Sequence, residues 1–218
     1  MVDYEIITDQ ENGCFIVKGP FGQDSVPVQI PDDNPLKKQF IDMFLHKADI
    51  ERGIDFLQCI SNDNSLTINE GLFIAGLNNC MKCFKYSRSR VKLDKNQVFC
   101  NNKQKFEDFI YFEEMRDKHF DHDENGMLQA VAFLLVDSET EGAFSGPPSV
   151  VWNRAVLNYY LCGEKLQEIM QYVRNYITEK IDEIGSQIIE YYKGRPTNEL
   201  LKWETAQIEL ASDKVNRK

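Results

Sequence analysis

The chain has 218 residues, of which 42% are hydrophobic, and its net charge at pH 7 is -10. This length is typical of one domain that buries enough apolar surface to fold without a metal or disulfides. The net negative charge argues against a protein that coats nucleic acid generally. The N-terminus lacks the pattern of a secretory signal, and the longest apolar run, Ala130 to Val136, is too short to span a bilayer. The sequence therefore predicts a cytoplasmic protein without a membrane segment.

Residues 1–32 predict a small N-terminal β segment. Its turn signals are Asn12-Gly13 and Gly19-Pro20, which separate short β-like runs. These runs are Tyr4–Thr8, Cys14–Lys18 and Val26–Ile30. A hairpin or meander of this size is too short to be a domain by itself.

A first helix is predicted to start at Asp33-Asn34-Pro35, where a capping side chain precedes proline. Helical spacing continues beyond it and predicts one apolar face. Its members are Phe40, Ile41, Phe44, Leu45, Ala48, Ile54 and Leu57. A capping box at Thr67–Glu70 predicts the start of a second helix. A third helix is predicted from Lys103 to about His119.

The second half of the sequence contains a predicted β-hairpin and the clearest helix. Leu128–Val136 and Ser149–Leu157 are rich in apolar and β-branched residues and favour a hairpin, although the first could also be helical. From Leu166 to Tyr191 apolar residues recur every three or four positions, and Gly194 and Pro196 end the pattern. Its apolar face fits either a bundle core or a dimer seam.

These elements predict a mainly α protein: a helical bundle with a small N-terminal β segment and a β-hairpin insertion. We expect the helical domain to cover residues 33–195. A short helix from Thr197 to about Leu210 and a charged tail would complete residues 196–218.

The residues most suited to chemistry lie where the third predicted helix ends. Two of the three histidines of the chain, His119 and His122, follow Arg116 and Asp117. Histidine exchanges protons near neutral pH, and arginine offers a permanent charge with donors that match phosphate. Arg116 and His119 share a helix face, whereas Arg116 and His122 point about 120° apart on a regular helix. Arg116 and His122 can therefore meet only if the helix ends near His119 or a second subunit completes the site.

This stretch resembles a known family. Arg116, the polar Asp117, four further residues and His122 are similar to the Arg-x(4–6)-His motif of HEPN (higher eukaryotes and prokaryotes nucleotide-binding) domains. The run from Arg116 to Asn125 is also similar to runs in uncharacterised bacterial helical proteins. The likeness extends over about residues 35–194, but its specific part is these ten residues.

The resemblance implies a helical bundle that often forms homodimers, so that two Arg/His pairs form a composite site. In active members RNA is cleaved without a metal, the ribose 2′-hydroxyl attacking the adjacent phosphate. Arg116 would then stabilise phosphate charge, His122 would transfer protons and Asp117 would position one of them, with His119 a further candidate. The resemblance implies a role in bacterial defence or a toxin system. Two alternatives stay open: a non-catalytic binding or regulatory module, and a helical scaffold in which Arg116 pairs with a local carboxylate such as Glu113.

Positive charge is concentrated near this motif. Between Lys82 and Lys118 there are ten basic and six acidic residues, against fifteen and twenty-nine elsewhere. Phe84 and Tyr86 are interleaved with the first of these cations, so that phosphate contacts and base stacking predict RNA binding here. The predicted RNA-binding residues are Lys82, Lys85, Arg88, Arg90 and Lys92. A solvated helix end and loop would have the same composition.

Two metal-like patterns are weaker. Cys80 and Cys83 have the spacing of zinc ligands but lie within a helical pattern and lack a second pair, which favours buried core cysteines. His119 and His122 with neighbouring aspartates lack a helix of the HExxH type. The sequence contains no nucleotide-binding loop or nucleophile elbow, so that neither a metal nor a cofactor is predicted.

Overall fold

The computed structural model describes most of the chain. The described residues are 5–9, 14–18, 28–120, 128–134, 146–154, 157–204 and 206–209. Within them the protein is mainly α-helical with two small antiparallel sheets, which confirms the predicted fold class. No helix among the described residues combines the length and apolar composition that are needed to cross a membrane.

The chain divides into two compact units. The first joins residues 1–41 to residues 182–218, and the second covers residues 42–181. The boundaries therefore fall at different positions from residues 33 and 195, and the predicted domain limits stay a prediction.

The first unit contains a three-stranded sheet. Strand β1 (Glu5–Asp9) pairs with β2 (Cys14–Lys18), which confirms the first two predicted strands. The third partner is β5 (Gln207–Glu209), which pairs antiparallel with β2. Of the predicted third strand, Val26–Ile30, only residues 28–30 are described, and Gln29 N donates to the Glu204 carbonyl at 2.7 Å.

The predicted helix from Thr197 to about Leu210 is wrong in its length. Helix α6 spans only Thr197–Leu200 and has no side-chain hydrogen bond at its N-terminal cap. Residues 207–209 pair with β2 instead, because a strand partner satisfies their backbone groups as well as a helix would. No local pattern in the sequence predicts that residues 207–209 pair with β2.

Helix α1 (Lys37–Gln58) begins after the predicted capping residue. Asn34 is buried, and its Oδ1 accepts from the Leu36 backbone N–H at 2.9 Å. Its Nδ2 donates to the Tyr192 hydroxyl at 3.0 Å. The same side chain therefore caps the helix start and forms a long-range contact within the first unit.

The predicted apolar face of α1 is wrong over its first half. Ile41, Phe44 and Leu45 are 42–48% exposed. The face that is buried carries Asp42, Met43, His46, Ile50, Gly53, Ile54 and Leu57. Two of these residues are polar and form hydrogen bonds to the backbone of Val91, at 3.0 Å from Asp42 and 2.7 Å from His46. The spacing of apolar residues does not predict this buried face, because two of its residues are polar.

Helix α2 (Leu66–Lys82) starts at Ser65 rather than at the predicted capping box. The Ser65 hydroxyl accepts from the Ile68 N–H at 3.3 Å. Further along, α2 approaches α1 closely at two glycines: a Cβ on Gly76 would lie 2.7 Å from Leu57 and 3.1 Å from the Gly53 carbonyl. The glycines thus allow the two helices to pack with their backbones close together.

Helix α5 (Tyr159–Tyr192) supplies the centre of the core and ends where predicted, with Gly194 at φ 85°. The fully buried residues of its face are Leu166, Ile169, Met170, Val173 and Ile177. They are covered within a single chain, so this stretch is bundle core and not a dimer seam. Helix α3 is short and spans Lys95–Val98. Phe73 of α2, and Phe109 and Phe112 of α4 (Lys103–Met115), are also buried.

The predicted hairpin is confirmed. Strand β3 (Leu128–Phe133) pairs antiparallel with β4 (Ser149–Arg154), from Leu128 opposite Arg154 to Phe133 opposite Ser149. The first of the two apolar stretches is therefore a strand rather than a helix. Residues 137–145 of the predicted connecting loop lie outside the described residues, as do residues 135–136 of the first predicted strand.

Candidate functional site: a cluster around Arg116

The helix that carries the motif changes its hydrogen-bonding pattern at Arg116. Helix α4 ends at Met115, and residues Arg116–Phe120 continue as one turn of π-helix. The predicted helical extent to His119 is therefore confirmed. Single π turns are rare and occur frequently at functional sites. His122 and the side chain of His119 lie outside the described residues, so that their convergence with Arg116 stays a prediction.

Arg116 is held by two neighbours. Its Nη1 donates to Asp117 Oδ1 at 2.9 Å, and its Nε donates to Asn78 Oδ1 on α2 at 3.3 Å. Its side chain is 21% exposed. The guanidinium is thus oriented by the protein while part of it still faces solvent.

The basic segment reaches this arginine through Asp117. Lys85 Nζ lies 3.1 Å and 3.0 Å from the two carboxylate oxygens of Asp117. Burial acts to raise the pKa of Asp117, but the hydrogen bond and charge of Lys85, together with those of Arg116, outweigh it and lower the pKa. Asp117 is therefore ionised at neutral pH and joins the two cations. We call Asn78, Lys85, Arg116 and Asp117 the Arg116 cluster.

Two of the other four predicted RNA-binding residues are also paired. Lys82 and Arg90 both donate to Asp49 on α1, at 2.8 Å and 2.5 Å. Arg88 and Lys92 are exposed and make no hydrogen bond or ion pair within the described part of the chain. The five basic residues therefore comprise three that shape the local structure and two that face solvent.

Arg116 pairs with a local carboxylate, as the scaffold alternative expects, but that carboxylate is Asp117 and not Glu113. Glu113, the carboxylate named for that reading, accepts from Lys95 at 2.6 Å. Asp117 pairs with Arg116 in its place. A local salt bridge does exist, and it is shared with Lys85, which comes from a separate part of the chain.

A small cavity opens beside the cluster. It has a volume of about 60 Å³ and is lined by His46, Lys82, Lys85, Ser87, Ser89 and Arg90. We call it the His46 cavity. The Ser87 and Ser89 hydroxyls lie 2.8 Å apart at exposed positions, and Lys85 belongs to both the cavity and the Arg116 cluster.

His46 was not a predicted site residue. It is 2% exposed, and its Nε2 donates to the Val91 carbonyl at 2.7 Å, while Nδ1 has no hydrogen-bond partner among the described residues. Burial lowers its pKa, more than the Val91 hydrogen bond and the neighbouring Asp42 and Asp49 raise it, so the ring is neutral at pH 7. The signal that could have revealed it is its position: His46 stands between Met43 and Ile50 at helical spacing.

The cysteine pair belongs to the core. Cys80 and Cys83 are buried, and burial raises the pKa of Cys83 to about 12 and that of Cys80 well above its usual value. Both are therefore protonated thiols at neutral pH, whereas zinc binds the thiolate. Among the described residues no group of His, Cys, Asp or Glu is arranged to hold a metal ion.

Comparison of the chain with protein-family models, with curated proteins and with solved structures found no match. The likeness to HEPN domains therefore rests on the residues of the motif.

Proposed function

We propose that this is a cytoplasmic, HEPN-like protein that binds RNA and cleaves it without a metal at the Arg116 cluster. The observation that supports the proposal most is the ion pair between Lys85 and Asp117. Lys85 of the basic segment and Asp117 of the arginine motif are 32 residues apart in the sequence, but their side chains meet in this ion pair. A phosphate that contacts Lys85 would therefore lie close to the arginine motif.

The proposed chemistry assigns a separate role to each side chain. Arg116 would bind a phosphate oxygen, and Asp117, bonded to Nη1, would hold the guanidinium in place. His122 would transfer the proton as the ribose 2′-hydroxyl attacks phosphorus and the bond to the 5′ oxygen breaks. Placing a donor where negative charge develops in the transition state contributes substantially to such reactions.

A homodimer is part of the proposal, because a second Arg116 and His122 would complete a composite site. The apolar face of α5 does not serve as the seam, since its residues are covered within one chain. The exposed Phe44 and Leu45 of α1 are better placed for contact with a second copy. Light scattering after size-exclusion chromatography would give the mass: one of about twice 25.4 kDa supports the dimer.

The experiment that tests the function is cleavage and binding of labelled mixed-sequence RNA by purified protein in EDTA. We expect the wild-type chain to cleave RNA and both Arg116→Ala and His122→Ala to cleave it at least a hundredfold more slowly. A proton-transfer group contributes about 10²–10⁴-fold, and a donor to the charge of the transition state contributes about 10²–10³-fold. Lys85→Ala should keep the fold but weaken binding, with a smaller dependence of affinity on salt because one phosphate contact is lost.

The matched control is Lys103→Ala, which removes an equally charged side chain that is 89% exposed on α4. Its cleavage and salt dependence should equal those of the wild type. Intact folding of each variant is verified by circular dichroism. Failure of the folded wild-type protein both to bind and to cleave RNA would refute the proposal.

A second candidate is a non-catalytic module that binds RNA or protein through the same surface. The pairing of Arg116 with Asp117 favours it, because the carboxylate offsets part of the positive charge that would stabilise a phosphate in the transition state. In that case RNA binding would survive His122→Ala and no form would cleave. The same assay therefore separates the two functions.

A further inference from the structure

The His46 cavity brings together groups that bind a phosphate. Three of its lining residues are cations, Lys82, Lys85 and Arg90, and two are hydroxyl donors, Ser87 and Ser89. Arginine and lysine form short, charge-assisted hydrogen bonds to phosphate oxygens, and a serine hydroxyl can donate one more. The cavity thus has donors on several sides and two serines at exposed positions.

The ion pairs around the cavity do not cancel its positive charge. Asp49 is shared by Lys82 and Arg90, and Asp117 is shared by Lys85 and Arg116, so that each carboxylate faces two cations.

One further carboxylate lies near the cavity. Asp42 is buried and accepts from the Val91 N–H, next to the ring of His46. His46 is neutral and adds no charge. Of the described charged groups named above, four are cations and three are carboxylates, which leaves one net positive charge for an anion that enters.

The size of the cavity restricts the ligand. A cavity of roughly 150 Å³ accommodates a benzene ring, whereas this one measures about 60 Å³ and has room for a group of a few atoms. A nucleobase is too large. An internal phosphodiester carries a sugar on both sides, but a terminal phosphate carries only one and can enter through an opening. A terminal phosphate also bears up to two negative charges near pH 7.

We infer that the His46 cavity seats one terminal phosphate group, at the end of an RNA or as free phosphate. Binding of an RNA end rests on the proposed function, because RNA with a terminal phosphate would then be the substrate class of the Arg116 cluster. Lys85, which lines the cavity and pairs with Asp117, would then link the seated end to the cluster.

The test compares the affinity of the EDTA-treated protein for three RNAs of one sequence. They carry a 5′-phosphate, a 3′-phosphate or hydroxyls at both ends. We expect at least a tenfold lower Kd for one of the phosphorylated RNAs. In Ser89→Asp, whose new carboxylate repels phosphate at the cavity, that preference should disappear while binding of the hydroxyl-ended RNA falls less than threefold.

The matched control is Asn101→Asp, which adds the same charge at an exposed position that does not line the cavity. The double variant Ser87→Ala/Ser89→Ala removes the hydroxyls without adding charge, and it should reduce the preference severalfold. Equal affinities of the wild type for all three RNAs, or a preference that Ser89→Asp retains, would overturn the inference and leave RNA binding intact.

In the second arm of the test, protein is titrated into inorganic phosphate, and binding is measured as broadening of the ³¹P NMR line. Should the protein bind no RNA, the proposed function fails, but broadening that Ser89→Asp abolishes and Asn101→Asp retains would support a site for free phosphate. Absence of both RNA-end preference and phosphate broadening refutes the site in either form.

Discussion

The aromatic core around Phe109 and the charged surface around Arg116 lie in the same unit, yet they are stabilised by different forces. Phe109 is fully buried, with ring centroids of Phe84 and Phe99 at 4.5 Å and 5.0 Å. At Arg116 the contacts are ion pairs whose side chains remain 21–43% exposed. Buried aromatic packing contributes several kcal/mol, whereas an exposed ion pair contributes about 0–1 kcal/mol.

The difference bears on function. Because the charged surface adds little to the free energy of unfolding, its residues can exchange partners with a ligand at low cost. A core side chain cannot do so without opening a cavity. The Arg116 cluster and the His46 cavity are therefore suited to binding, and three substitutions test how sharply the two regions differ.

The largest effect is expected in the core. Phe109→Ala should lower the free energy of unfolding by about 3–5 kcal/mol, because it removes buried apolar surface and leaves a cavity. Tyr111→Ala on the same helix is the control: Tyr111 is 55% exposed, and we expect a loss below about 1 kcal/mol. Urea unfolding followed by circular dichroism measures both. Similar losses for the two variants would contradict the assigned core.

An intermediate effect is expected where α1 and α2 approach each other. Alanine at Gly76 would place its Cβ 2.7 Å from Leu57, so overpacking should exceed the gain in helix propensity and destabilise by about 1–2 kcal/mol. Gly71→Ala, in the same helix with nothing within 4 Å, should instead stabilise by about 0.5–1 kcal/mol. Thermal unfolding of the pair gives the sign of each change, and equal signs would argue against the close approach.

The smallest effect, and the one that depends on pH, is expected at Asp49. Burial acts to raise its pKa, but Lys82 and Arg90 outweigh burial and hold the pKa below its ordinary value. Because the pKa of Asp49 is lower in the folded state than in the unfolded state, where it is about 3.9, the ionised carboxylate stabilises the folded protein above that pH. This stabilisation is lost as the pH falls through the pKa of the folded state. Asp49→Asn should therefore cost about 0.5–1 kcal/mol at pH 7, and less as the pH falls below about 4.

Urea unfolding of the wild type and of Asp49→Asn between pH 7 and pH 3 measures how the difference between their free energies of unfolding becomes smaller. Asp55→Asn, which changes an exposed residue of the same helix that forms no ion pair with the described residues, controls for the loss of one charge. A difference between wild type and Asp49→Asn that stays constant down to pH 3 would exclude the ion pairs as its cause.

Much of the fold followed from local patterns, and the errors share one cause. Strand β2, the hairpin and the end of α5 are defined by residues that are near in sequence. The buried face of α1 was misjudged because Asp42 and His46 bind Val91, which lies more than forty residues away. The length of α6 was misjudged because residues 207–209 pair with β2.

The site could be predicted only in part, again because local patterns do not predict contacts between distant segments. The residue types of Arg116 and Asp117, and the nearby excess of lysine and arginine, are visible in the sequence. The shared carboxylate between Lys85 and Arg116 is not, because it depends on how α2 packs beside the π turn. The role of His122 stays a prediction.

By itself, the sequence determined the helical class, the hairpin and the position of the motif at a helix end, because periodicity, capping and turn residues act over a few neighbours. Only the tertiary structure decided that α5 forms core rather than a dimer seam, and that His46 is buried. It also decided that Lys82, Lys85 and Arg90 surround one cavity. These features depend on contacts between distant segments, which burial and long-range ion pairs select and which no local pattern encodes.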